Sequence, residues 1–90
     1  LTKVVITVIG RDRVGIIHEV SGVLAQKGIN ILDINQTIMQ DIFTMIMVAD
    51  ISGSASTFAE AQDALNAKAD ELGVSIRMQH SGIFDSMHRL

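Results

Sequence analysis

The residues best placed to do chemistry are Gly10-Arg11-Asp12-Arg13-Val14-Gly15-Ile16-Ile17, where an apolar run gives way to a polar turn and then to helical periodicity. Gly15 falls in the first turn of that helix, where glycine is unfavourable unless the backbone must come close to something. The unpaired N–H groups of a helix start, together with the helix dipole, favour an anion such as a carboxylate. Asp12 beside them offers a counter-charge for an ammonium group. N–H donors paired with a carboxylate suit a zwitterionic α-amino acid. A plainer account stays open at this point, with Asp12 as the helix N-cap and Gly15 as a packing residue.

Other chemistry is thin. His18, His80 and His88 are the three imidazoles and sit on different elements, each expected at the solvent surface. No spacing of the H-E-x-x-H kind brings them together, so no metal is expected. The serines lack a nucleophile-elbow context. Glu60, Asp63, Asp70 and Glu71 read as the solvated face of a helix. The sequence predicts no enzyme and no cofactor.

Composition narrows the class further. Ninety residues allow one domain and one core. Zero Cys removes disulfides, zinc knuckles, iron–sulfur clusters and thiol catalysis. A net charge of −3, with 7 Lys and Arg against 10 Asp and Glu, argues against a nucleic-acid binder. No apolar stretch approaches the roughly 18 residues of a membrane span, and no signal peptide is evident. The expectation is a soluble, cytoplasmic domain with neither nucleic-acid nor membrane partners.

The elements that must position these residues follow from periodicity. Thirteen Ile and eight Val lean toward strands. Lys3 to Ile9 is a buried strand closed by Gly10. Val14 to Lys27 is a helix with Ile16, Ile17, Val20, Val23 and Leu24 on one stripe, stopped by Gly28. Asn30 to Met39 is a strand with Leu32, Ile34 and Ile38 on one face and Asp33, Asn35 and Thr37 on the other. Gln40-Asp41 turns it back into a third strand, Phe43 to Ile51, making a hairpin. After a Ser52-Gly53-Ser54 loop, Thr57-Phe58-Ala59-Glu60 fits a capping box. It opens a second helix whose core stripe is Phe58, Ala61, Leu65, Ala69 and Leu72, ended by Gly73. Val74 to His80 is the fourth strand.

The order βαββαβ predicts a ferredoxin-like α+β two-layer sandwich over residues 1–81. Its four-stranded antiparallel sheet has the first and third strands central and both helices on one face. Residues 82–90 form a tail, where Ile83, Phe84, Met87 and Leu90 mark a short amphipathic helix expected to dock on the domain or on a partner.

Three features point to a homodimer. The first and third strands are apolar on both faces, which calls for a second cover, either the tail or another subunit. The second strand lies at the sheet edge without Pro, Lys or Arg to guard it. Opposite the core stripe of the first helix, Val14, His18, Ser21, Gly22 and Ala25 form a mostly small-residue face that permits close helix approach.

Asp12-Arg13-x-Gly15-Ile16 after the first strand, followed by Leu24-Ala25-x-x-Gly28-x-Asn30-Ile31-x-Asp33-Ile34, resembles the ACT domain, the βαββαβ module of amino-acid-responsive regulation. Gln36-Thr37, Phe43-Thr44-Met45 and Ile83-Phe84-x-x-Met87-His88 resemble small stand-alone bacterial ACT proteins. The resemblance implies domains paired side by side through the first helix and the second strand, with small ligands, often amino acids, at the interface. The implied ligand positions here are Asp12, Arg13, Val14, Gly15 and Ile16, with Asn30 and Ile31 across from them. Backbone N–H groups of 14 to 16 would hold the ligand carboxylate, and Asp12 and Asn30 would anchor its polar groups. Many ligand-binding members carry Pro before the glycine. Val14 takes that place here and leaves the loop less preorganised.

The expected function is a regulatory domain that senses a small molecule, an amino acid, at a homodimer interface and signals to a separate protein partner. The alternative is a protein-interaction module with a vestigial ligand site. RNA-recognition motifs share this topology but need aromatics on the central strands to stack bases, and Phe43 is the only one there. Acylphosphatases and copper chaperones are set aside for want of their phosphate loop and paired cysteines.

Overall fold

The computed structural model describes residues 1–82; the expected tail helix falls, from residue 83 on, outside the described residues. The chain order is β1 (Lys3–Arg11), α1 (Ile16–Gln26), β2 (Asn30–Met39), β3 (Ile42–Asp50), α2 (Phe58–Leu72) and β4 (Val74–His80). The strands form one antiparallel sheet in the order β2-β3-β1-β4, with both helices on one face. The ferredoxin-like sandwich read from the sequence is the fold.

Alternation along β1 and β3 builds the core. Val4, Ile6 and Val8 pair in register with Ala49, Met47 and Met45, and all six are fully buried on the helix side. Ile76 and Met78 of β4 extend that floor. Ile16, Val20, Val23 and Leu24 of α1 and Ala61, Leu65, Ala69 and Leu72 of α2 close over it. Gly10 lies within the strand, paired to Phe43 and Val74, and is glycine because β4 crowds it: a Cβ there would lie 2.6 Å from Val74 Cγ1. β1 therefore runs to Arg11, beyond the stop expected at Gly10.

The second helix starts as its sequence predicts. Thr57 Oγ1 accepts the Glu60 N–H at 3.1 Å, Glu60 Oε1 accepts the Thr57 N–H at 2.8 Å, and Gly73 ends the helix at φ 69°. Lys68 ties the helices together, reaching Glu19 of α1 at 3.3 Å and Glu71 at 3.1 Å. His80 is exposed as expected and stacks its ring on Phe58, centroids 4.6 Å apart.

Two expectations about backbone detail are corrected. The first helix begins at Ile16, and its N-cap is Gly15 in the left-handed region rather than Asp12. Strict alternation in β2 also fails. A bulge between Ile31 and Asp33 leaves Leu32 as the extra residue, so Ile31, opposite Ala49, shares the helix side with Ile34 and Ile38. Periodicity in one strand carries no information about where its partner skips a residue.

The β2–β3 turn is a two-residue loop in which both Gln40 (φ 49°) and Asp41 (φ 70°) are left-handed. This is the backbone of a type I′ turn, which favours Asn-Gly. Exchanging Gln40-Asp41 for Asn-Gly is expected to stabilise the domain by about 1 kcal/mol. The readout is a higher urea midpoint at unchanged m-value; an unmoved midpoint would mean that the turn holds no strain.

Acid should destabilise the domain through two carboxylates. The Thr57 N–H holds Glu60 below its ordinary value of 4.5, and the Ser52 and Thr2 N–H groups hold Asp50 below 3.8. Both bind a proton more weakly folded than unfolded, so their contribution is complete above the unfolded values and lost as pH falls through the folded ones. Thermal midpoints should drop on acidification below pH 4.5, and Glu60→Gln should make that drop shallower.

Candidate functional site

The loop from β1 to α1 is fixed at three points. The Asp12 N–H donates to the Asp41 carbonyl at 2.8 Å, binding the loop to the strained hairpin turn. Arg13 Nη1 donates to the Leu72 carbonyl at 3.3 Å, at the end of α2, where a cation also meets the negative end of the helix dipole. Gly15 stands at φ 95° and ψ 0°, and its carbonyl accepts the Glu19 N–H at 2.9 Å to start the helix. An added Cβ at Gly15 would meet nothing within 4 Å. The glycine is there for its backbone conformation, and the close approach inferred from the sequence has no counterpart within one chain.

No side chain caps α1, so the N–H groups of its first turn face outward beside Asp12. They open onto a depression of about 460 Å³ lined by Asp12, Arg13, Gly15, Ile16, Ile17 and His18 on one side and Gln36, Ile38 and Phe43 on the other. A second depression of about 440 Å³ continues along the same groove between α1 and β2. Its lining is His18, Ser21, Gly22, Ala25, Ile29, Asn30 and Ile31. His18 stands at the junction and lines both.

The structure thus divides the expected ligand residues. Asp12, Arg13, Gly15 and Ile16 gather at one depression, and Asn30 and Ile31 at the other. Val14 lines neither and is 98% exposed. The side chains of Arg13 and Ile16 face inward duties, one on the α2 carbonyl and the other in the core.

His18 and Gln36 were not among the expected ligand residues, though both line the groove. The sequence placed His18 on the outward face of α1, with Ser21, Gly22 and Ala25; its proximity to β2 needed the fold. Gln36 carries no signal of its own. It reaches the groove because the bulge returns Ile34, Gln36 and Ile38 to the helix side.

Chemically, the groove offers main-chain donors for an anion, the Asp12 carboxylate, an imidazole, an amide and apolar walls from Ile17, Ile38 and Phe43. Among the described residues no group of three or more His, Cys, Asp or Glu could hold a metal ion. No described helix is long and apolar enough to cross a membrane.

Comparison with known proteins agrees with this architecture. The family model described as ACT domain matches residues 2–79. A UPF0237 protein of the archaeon Methanococcus maripaludis is 53% identical over 90 residues, the whole of both chains. Among solved structures, an ACT domain protein from Streptococcus pneumoniae superposes with a TM-score of 0.80 at 38% identity, covering 92% of this chain and 93% of that one. The ligand-free regulatory subunit of aspartate kinase from Thermus thermophilus gives a TM-score of 0.69 at 26% identity. That match covers 88% of this chain and 51% of the subunit.

The two glycines of the α1 region separate conformational need from space. Gly15→Ala is expected to cost about 1 kcal/mol, because an L-residue resists the left-handed region. Gly22→Ala, equally unobstructed but in helical backbone, should be neutral or stabilise by up to about 1 kcal/mol. Chemical denaturation of both variants checks the pair, and an indifferent Gly15→Ala would contradict the cap geometry.

Proposed function

The chain belongs to the ACT-domain family, and from that premise we propose that it is a regulatory domain that binds an amino acid in the α1–β2 groove of a homodimer. The observation that carries this reading is the convergence, along one groove, of an uncapped helix start, the Asp12 carboxylate and the His18 imidazole. The ligand carboxylate would sit on the N–H groups at 15 to 17, with its ammonium group toward Asp12. Asn30, in the adjoining depression, would anchor the remaining polar atoms.

Both depressions are shallow and open on the outer side. Their volumes fall in the range of small-ligand clefts, yet one chain cannot enclose a ligand in them. A second copy would supply the missing wall. The small residues Ser21, Gly22 and Ala25 allow its helix to approach, and the unpaired edge of β2 offers a row of main-chain groups for strand pairing. Exposed Ile34 and Ile38 on β2 would be covered in the same step. Binding across such an interface couples ligand to dimer geometry, the form in which a regulatory domain transmits a signal.

The aspartate kinase neighbour is named as a regulatory subunit, which supports a regulatory reading of the fold. The Methanococcus relative is matched over its entire length. On this reading the regulated molecule would be a separate protein partner.

Circular-dichroism melts against each of the twenty amino acids test the reading, since the chain has no Trp or Tyr for optical readouts. A ligand at about 100 times its Kd should add about 2.7 kcal/mol per site, which for a domain of this size raises the Tm by roughly 10 °C or more. Gly22→Leu should leave the folded spectrum intact while abolishing both the dimer in sedimentation equilibrium and the ligand-induced shift. A flat panel of melts would sink amino-acid sensing and favour the interaction-module alternative. A ligand shift that survives Gly22→Leu would place the site away from the dimer interface.

A further inference from the structure

The sheet has two edge strands, β2 and β4, and they are not equivalent. The Ile51 N–H donates to the Thr2 carbonyl at 2.9 Å, which sets the phase of the ladder. Main-chain groups alternate across an antiparallel pair. Those of Ser75, Arg77 and Gln79 in β4 therefore turn toward β1, and those of Ile76 and Met78 turn outward. By the same alternation Asp33, Asn35 and Thr37 of β2 turn toward β3, while Ile34, Gln36 and Ile38 turn outward. On β4 the outward Met78 N–H is taken by α2, where Gln62 Oε1 accepts it at 2.9 Å. Gln62 Nε2 donates to Asn66 Oδ1 at 2.8 Å, which keeps that oxygen aimed at the strand. Ile76 and Met78 are also buried, whereas β2 keeps its apolar side chains exposed. The edge available to another strand is β2.

β2 has the side-chain pattern of a strand that can pair with a copy of itself. Ile34 and Ile38, 42% and 56% exposed, lie on the helix side with Gln36 midway between them. A two-fold axis through Gln36 sets Ile34 opposite Ile38 of a second copy, and Asn35 opposite Thr37 on the outer face. An axis through Thr37 sets Ile38 against Gln36 and Asp33 against Asp41, a like-charge pair. An axis through Asn35 sets Ile34 against Gln36 and Ile38 against the bulge at Leu32. Cross-strand pairing favours matched apolar side chains and penalises like charges, so Gln36 is the best centre. One group stands in the way. The Ile34 N–H is accepted at 2.9 Å by Asp33 Oδ1, and pairing about Gln36 needs that N–H for the Ile38 carbonyl of the second copy.

We propose that a second copy of the chain adds to β2 about a two-fold axis through Gln36, and that the Asp33 carboxylate competes with it for the Ile34 N–H. The proposal rests on the homodimer of the proposed function but not on the identity of its ligand. Gln36 and Ile38 line the depression at the start of α1, so Ile34 and Gln36 of the second copy would complete its outer wall. Asp33 caps the edge in the single chain and must give up its bond before the ladder closes. It therefore sets how tightly the copies associate.

The chain has no Cys, so single cysteines report the register directly. About an axis through Gln36, residues 35 and 37 of different chains stand opposite each other with Cα atoms roughly 4.5 Å apart. That lies within the disulfide range of about 4.4–6.8 Å. Each of the two is then roughly 8 Å from its own counterpart, which is too far. On mild oxidation, a mixture of full-length Asn35→Cys and Thr37→Cys chains is expected to give the mixed disulfide dimer, and each variant alone to stay uncrosslinked. Self-crosslinking of either variant would overturn the register and leave the β2 dimer standing. No crosslink in any combination would remove the β2 dimer, and the proposal with it. Asp33→Ala should tighten the dimer Kd in sedimentation equilibrium by at least about fivefold. Asp33→Asn, which keeps an acceptor without the charge, should tighten it less. Equal tightening by both, or none by Asp33→Ala, would overturn the competition at Ile34.

Discussion

Main-chain pairing of β1 to β3 on one side and to β4 on the other joins the two halves of the chain, and every other feature is placed relative to it. Because β1 is flanked on both sides, its residues at 4, 6 and 8 are fully buried and fix the register of both neighbours. A one-residue slip would exchange Val4, Ile6 and Val8 for Val5, Thr7 and Ile9 on the helix side, and the core would lose its floor. The central position of β1 also sends β2 to the edge. The helices leave the helix-side face of β2 exposed at Ile34 and Ile38. The groove that runs beside α1 is the consequence of that incomplete cover.

The loop at the head of this groove is held by contacts that do not depend on proline. Val14 stands where the family often has a rigid proline, and its side chain points into solvent. The loop is tied instead through the Asp12 N–H to the hairpin turn and through Arg13 to the end of α2. These ties come from two different elements, one from the β2–β3 hairpin and one from the second helix. Positioning of the α1 N–H groups is therefore a property of the folded whole. Gly15 completes the arrangement, since its left-handed backbone lets α1 start abruptly without a side chain over its first N–H groups.

The βαββαβ order, the second helix with its capping box, and the outward face of α1 were all legible in the sequence. Each depends on residues close together in the chain, within one helical turn or one strand. Asp12 as N-cap and the common face of Leu32, Ile34 and Ile38 were legible too, and they were wrong in detail. A glycine in a first turn reads as a packing residue until its φ is known, and a bulge depends on the partner strand. The candidate site was half visible: Asp12 and Gly15 stood out by type and spacing, whereas His18 and Gln36 became groove residues only through the meeting of α1 with the bulged β2.

The sequence by itself determined the fold, because local caps and the two hydrophobic periods leave few ways to order the elements of a chain so rich in Ile and Val around one core. It also narrowed the chemistry available, by omitting cysteine. Tertiary structure decided which of those residues share a surface. It gathered Asp12 with His18 and Gln36, turned Arg13 onto a carbonyl 59 residues away, and left Ile9, Ile42 and Ile46 exposed on the outer sheet face. Those outcomes rest on register between distant strands and on the reach of side chains across them, and neither is written in any local stretch of sequence.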